Sequence, residues 1–370
     1  MIVHSAPWVV PIVRPPIADG AVALDERGVI RGVGRRSDLR AAGRVVEHAG
    51  VLMPALVNAH AHLELGARVP GGGGLAPWIR RLLAMRAAPD VAAIEAAARW
   101  LHARGTAAVA DVSNSGLSAG PARAAGLEVL DLDERVTLRS ETAPLQPPRA
   151  GAVMTPHSTY TCGESSLRQI AAYAGGQIAS IHVEEDPGEA GLTVEGAGPI
   201  AELLRERGAP VRAVGARPVP WLDSLGLLGE GTLLVHLTFA DDASLRLAVE
   251  RRAIAVLCPR SNLHITGRLP PHARMRALGL RVALGSDSLA SSPSLDVLGD
   301  VQCLARAGAD PAWLLEAATA VGAHALGKAH LGALQPGRRP GLIAVGDQAV
   351  DSPLDFLAHD GADAPVRRVS

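Results

Sequence analysis

The run VLMPALVNAHAHLELG, residues 51–66, decides how the rest of the chain is read. Its first half is an apolar stretch rich in valine and leucine, the pattern of a strand buried on both faces. It ends in His60 and His62, and on a strand residues i and i+2 point to the same side. Both imidazoles therefore converge at the strand's C-terminal end, which supplies half of a metal site.

Downstream, short apolar runs alternate with alanine-, leucine- and arginine-rich segments at helical spacing, such as residues 76–86 and 91–104. The runs that read as strands are 51–58, 107–112, 127–132, 151–155, 177–182, 231–237, 253–258 and 281–285. Eight strands with intervening helices predict a (β/α)8 TIM-type barrel, an α/β fold whose active site lies at the C-terminal ends of the strands. A doubly wound open sheet is the alternative. Upstream, residues 1–50 alternate β-like runs with Pro and Gly turn signals, which predicts a small antiparallel unit, and the last forty residues return to the same character. The expected organisation is a small β-sandwich domain from residues 1–50 and 331–370, with the barrel over 51–330.

Composition narrows the partner. With 36 basic and 37 acidic residues among 370, nothing favours a nucleic-acid or anionic-membrane partner, and a small polar substrate is expected. Three separated cysteines, Cys162, Cys258 and Cys303, support neither a disulfide framework nor a thiolate zinc site. No signal peptide pattern and no apolar run of about 18–20 residues occur, so a soluble, cytoplasmic protein is expected. The four glycines 71–74 lack the continuation of a phosphate loop, and no cofactor other than a metal is expected.

Polar residues recur where the predicted strands end. His60 and His62 follow the first strand, His157 the fourth, His182 the fifth, His236 the sixth and Asp287 the eighth. His60, His62, His182 and Asp287 form a nitrogen-and-oxygen set suited to Zn2+, or to Fe2+, with a position left for water. A two-metal site usually needs a further bridging ligand, often a modified lysine, and the only lysine, Lys328, is remote from these motifs, so one divalent ion is expected. Glu185 would face away from the metal on a continuing strand. The Asp186-Pro187-Gly188 turn predicts instead that it swings over the site as general acid/base. His236 would then hydrogen-bond the attacking water or the oxyanion.

The motifs VNAHAHLELG, TPHSTYTCG, IHVEED, LLVHLTF, CPRSNLHITG and LGSDSLASSPSLD, in this order, resemble the amidohydrolase superfamily, in its mononuclear aminohydrolase branch of nucleobase and nucleoside deaminases. The resemblance implies that His60, His62, His182 and Asp287 hold the metal, that Glu185 and His236, with Asp287, serve the chemistry, and that His157 contacts the substrate ring. HLEL after the histidine pair, APWIRRLLAMR, ARPVPWLDSLGLL and Ser288 look most like aminodeoxyfutalosine deaminases of menaquinone biosynthesis. Hydrolytic deamination of a 6-aminopurine nucleoside is thus the implied reaction, and a homodimer the implied assembly. The alternatives are an S-adenosylhomocysteine- or adenosine-type deaminase, or an amidohydrolase or chlorohydrolase of another heterocycle. Glu64, Trp78, Tyr160, Arg260, Asn262 and Ser288 lie near predicted strand ends and are the candidates for substrate recognition.

Overall fold

The structure is a computed structural model that describes residues 1–39, 43–85, 87–139 and 144–369. Fifteen strands are described: β1 (Ile2–Val9), β2 (Ile17–Leu24), β3 (Ile30–Arg35), β4 (Arg44–Glu47), β5 (Val51–Pro54), β6 (Leu56–Ala61), β7 (Thr106–Ser113), β8 (Glu128–Arg135), β9 (Val153–Pro156), β10 (Ala179–Val183), β11 (Thr232–His236), β12 (Ile254–Leu257), β13 (Arg281–Leu284), β14 (Leu342–Val345) and β15 (Val366–Arg368).

Eight of them, β6 to β13, form the barrel as two parallel four-stranded halves, β6-β7-β8-β9 and β10-β11-β12-β13. Single bridge pairs join the halves, Ser158 with His182 at one seam and Ala61 with Asp287 at the other. Helices cover the outside, so both faces of each strand are shut off from water. All eight residues of β7 are buried, as are all six of β6. Small and branched side chains, among them Val57, Ala59, Ala110, Leu132, Ile181, Leu234 and Val256, fill one continuous core. Every run expected as a barrel strand overlaps one of these eight.

The first run departs in detail. Residues 51–58 make two strands, β5 and β6, because the chain passes from one sheet to another at Ala55, whose N–H donates to Gly341 O. β5 belongs to a seven-stranded sheet of order β15-β14-β5-β1-β2-β3, with β4 also paired to β1. The antiparallel arrangement expected for residues 1–50 holds for β1-β2-β3, whereas β4 and β5 pair with β1 in parallel, one along each half of it. The sheet is apolar on both faces. Val22, Leu24, Ile30, Leu52 and Leu342 cluster on one, Val3, Ala21 and Ala23 on the other.

Helix Leu75–Met85 takes shape where the sequence predicts one, although the last expected residue, Arg86, lies outside the described residues. Helix Val91–Ala103 begins at Asp90, whose carboxylate accepts from the N–H groups of Ala92 and Ala93. No described helix is long and apolar enough to cross a membrane.

Candidate active site

His60 is the penultimate residue of β6 and His62 lies just beyond the strand, and β10 brings His182 to the same point. Nε2 of His182 lies 3.1 Å from Nε2 of His60 and 3.2 Å from Nε2 of His62. Asp287, one bridge pair from Ala61, presents Oδ1 at 3.9 Å from His60 Nε2 and 3.8 Å from His62 Nε2. Its other oxygen accepts from the hydroxyls of Ser261 (2.5 Å) and Ser291 (2.7 Å), which leaves Oδ1 turned to the histidines.

Burial, reinforced by the neighbouring imidazoles, holds His60 and His182 well below the usual histidine range, so these rings are neutral. Burial pushes the Asp287 carboxyl up, but His62, His236 and the Ser261 hydroxyl outweigh it and keep it below its ordinary value. Each neutral ring has one N–H, so three nitrogens this close cannot all be satisfied by one another. A divalent cation accepting all three lone pairs resolves this, since Zn–N bonds of about 2.0–2.1 Å put tetrahedral ligand nitrogens about 3.3 Å apart. The donor set fits such an ion.

Glu185 reaches this centre because β10 stops at Val183 and Glu184 adopts a left-handed backbone, φ 50°. The acidic neighbours each have another task. Glu184 accepts from Ser244 Oγ at 2.9 Å and lies 3.3 Å from Arg217 Nε. Asp186 caps the turn at Gly188 and accepts from Leu75 N, the start of helix Leu75–Met85, at 3.0 Å. Glu189 accepts from the backbone N–H groups of Glu185 (2.9 Å) and Glu184 (3.1 Å) and so fixes the turn. Glu185 is left with its carboxyl 3.6 Å from His236 Nε2. Burial, then the charges of Asp287, Glu189 and Asp186, raise its pKa well above the carboxylate range, as suits a proton carrier. His236 also lies at positive φ, 79°, and burial brings its pKa down to about 4.

A cavity of about 500 Å³ opens over these groups. His157, Tyr160, Trp78 and Ser288 line it. His157 Nδ1 is within 2.8 Å of Thr161 Oγ1, and burial lowers its pKa to about 3. Three candidates stand elsewhere. Arg260 is turned away into Asp300 (2.8 Å) and Ser294, a buried pair behind the wall. Glu64 accepts from Asn114 N and Ser113 Oγ and serves the turn after β7. Asn262 lies behind His236, its Nδ2 3.0 Å from Nδ1 of that ring.

The structure adds residues that the sequence reading passed over. Leu65, Leu75, Ile79, Leu82, Val136, Leu203 and Leu204 make the outer wall apolar. Buried Glu134 and exposed Asn114 also line the cavity. Glu134 shares the parity of Leu130 and Leu132 along β8, opposite to Asp131 and Asp133, and that alternation was the available signal. Residues 116–120 read GLSAG, the spacing of a serine nucleophile elbow, yet Ser118 is buried and its hydroxyl donates to Asp111.

Comparisons with known proteins bear on the family and the fold. A 5-methylthioadenosine/S-adenosylhomocysteine deaminase of Halobacterium salinarum is 30% identical over 347 residues, covering 84% of this chain and 76% of that protein. Of two other curated relatives of that name the chain spans less than half the length, 42% and 44%. Among solved structures, the aminofutalosine deaminase of Helicobacter pylori in complex with methylthio-coformycin superposes with a TM-score of 0.86 over 100% of both chains at 19% identity. An adenosine deaminase from Xanthomonas campestris with bound zinc gives 0.78 at 24% identity, covering 97% of this chain and 88% of that one. At these identities the structural likeness speaks for the fold, the TIM-type barrel described above. The pattern of the Amidohydrolase family matches residues 51–366, and the chain belongs to that family.

Proposed function

We propose that the protein is a divalent-metal-dependent hydrolase that deaminates a 6-aminopurine nucleoside, with aminodeoxyfutalosine as the foremost candidate substrate. The observation that supports this best is the convergence of His60, His62, His182 and Asp287 on one point, with Glu185 and His236 beside it, under a cavity of about 500 Å³. The names of the relatives and of the superposed deaminases point the same way.

His60, His62, His182 and Asp287 would hold one ion, Zn2+ first and Fe2+ second. When bound, such an ion supplies Lewis acidity that makes water a nucleophile near neutral pH. Glu185 takes a proton from the attacking water and gives it to the ring nitrogen beside C6. A C–O bond forms at C6 as the ring C=N opens. Glu185 then takes the proton of the new C6 hydroxyl and delivers it to the exocyclic amine; the oxygen electrons form C=O as the C–N bond breaks, and ammonia leaves with the bonding pair. His236, at 3.6 Å from Glu185, steadies the attacking oxygen, and His157 faces the base. The apolar outer wall favours a substrate whose 5′ arm is itself apolar, such as an aryl ketone or a thioether, over an unsubstituted ribose.

The test is a spectrophotometric deamination screen of metal-loaded protein against adenosine, S-adenosylhomocysteine, 5-methylthioadenosine and aminodeoxyfutalosine, with metal content measured on the same sample. Preference for aminodeoxyfutalosine is the expected result. Preference for one of the other three keeps the reaction and changes the substrate. Silence on all four with one metal per chain removes the purine and leaves hydrolysis of another heterocycle.

A further inference from the structure

Glu134 has no part in the chemistry described so far, and its surroundings ask for a ligand. Its side chain keeps only 4% relative exposure, yet it lines the cavity. Oε2 accepts from Asn114 Nδ2 at 3.0 Å. Oε1 has no hydrogen-bond partner among the described residues. The nearest histidine nitrogen, His182 Nδ1, is 3.8 Å away and 2.8 Å from the His157 carbonyl oxygen, to which it donates when Nε2 is kept free for the metal. A carboxylate oxygen this buried costs a good deal unless a donor meets it, and that donor has to come through the cavity.

Its place selects the donor. Nδ1 and Nε2 lie on opposite edges of an imidazole, so Glu134 stands on the far side of the His182 ring from the three clustered Nε2 atoms. A 6-aminopurine with C6 at that cluster projects its sugar from the other end of the bicyclic base. Leu65, Leu82 and Val136, which also line the cavity, carry no acceptor in their side chains. We infer that Glu134, oriented by Asn114, is the acceptor for the ribose 2′- and 3′-hydroxyls of the substrate and makes the site selective for ribonucleosides over deoxynucleosides. This rests on the deaminase reading for the pose of the base.

The experiment pairs residue and hydroxyl. Steady-state kcat/KM is measured for adenosine and 2′,3′-dideoxyadenosine, and binding by equilibrium dialysis for the unreactive products inosine and 2′,3′-dideoxyinosine. Wild type, Glu134→Gln and Glu134→Ala are compared, all metal-loaded and checked for fold by circular dichroism. Wild type should favour the hydroxylated partner by roughly tenfold to a hundredfold in both measurements, the worth of hydrogen bonds to a charged group. Both variants should lose most of that preference while acting on the dideoxy compounds nearly as wild type does. Equal losses on both nucleosides, an unchanged preference in Glu134→Ala, or no discrimination by wild type would overturn the inference. So would a second equivalent of metal in wild type that Glu134→Gln abolishes, since that would assign the open oxygen to a cation. If wild type discriminates through Glu134 in dialysis but releases no ammonia from any aminopurine nucleoside, the deaminase reading fails and the sugar-binding role stands.

Discussion

Replacing Gly285 with alanine tests whether the seam beside Asp287 sets the metal geometry. Gly285 lies outside the left-handed region, so the added methyl brings no backbone strain and its effect is steric. A Cβ built there falls 2.8 Å from His60 Cβ, 2.9 Å from the His60 carbonyl oxygen and 3.0 Å from its nitrogen. Carbon atoms in ordinary contact sit about 3.5–4.0 Å apart, so the two strands must part by roughly 0.7 Å or more. Metal–ligand distances tolerate only about 0.2 Å, and overpacking of this kind costs about 1–3 kcal/mol. The expected outcome is a Tm several degrees lower in differential scanning calorimetry. Bound metal, measured by elemental analysis after dialysis against a weak chelator, should fall well below that of wild type. Gly229, where an added Cβ meets nothing within 4 Å, is the control position and should tolerate alanine on both counts. A Gly285→Ala protein that keeps its full metal complement and the wild-type Tm would refute the argument.

Variants at three further positions test the site and a buried carboxyl beside it. Glu185→Gln should retain metal and lose kcat by about 10² to 10⁴, the range of general acid/base help, and full activity would remove the proton-carrier role. Asp287→Ala should abolish metal retention in the same elemental assay. Asp287→Asn, which suits the left-handed backbone there (φ 59°), isolates the loss of charge, and normal binding by both variants would exclude Asp287 as a ligand. Burial raises the Asp111 carboxyl from 3.8 to about 6, against the pull of the Ser118 hydroxyl and Leu63 N–H. The folded state therefore holds this proton more tightly than the unfolded chain. The stability it contributes is full below about pH 3.8 and lost as pH rises through about 6, at most about 3 kcal/mol. Denaturant titrations of Asp111→Asn across that window should show a flatter pH dependence than wild type, and identical curves would count against the shift.

Much of this was legible because periodicity is local. Each of the eight apolar runs overlaps a barrel strand, and the i, i+2 spacing of His60 and His62 placed both imidazoles on one side of a short segment. The turn at Asp186-Pro187-Gly188 foretold the departure from β10 that brings Glu185 over the cavity. What the sequence could not display was partnership across distance. Arg260 looked available until Asp300, forty residues on, claimed it, and Glu64 is engaged by Ser113 and Asn114, about fifty residues away. The passage from β5 to β6 was hidden for a related reason. Both pieces are buried, and the one local mark of the break is Pro54, which lacks the N–H a continuous central strand would use.

The two seams of the barrel bear on when the site comes into existence. His60 and His62 belong to one four-stranded half, whereas His182 and Asp287 belong to the other. Neither half alone has more than two of the four donors, too few to hold a divalent ion firmly. If these four residues hold the ion as proposed, its capture would follow the meeting of the halves during folding, and the bound ion would tie them together. Its occupancy would then report whether the barrel has shut.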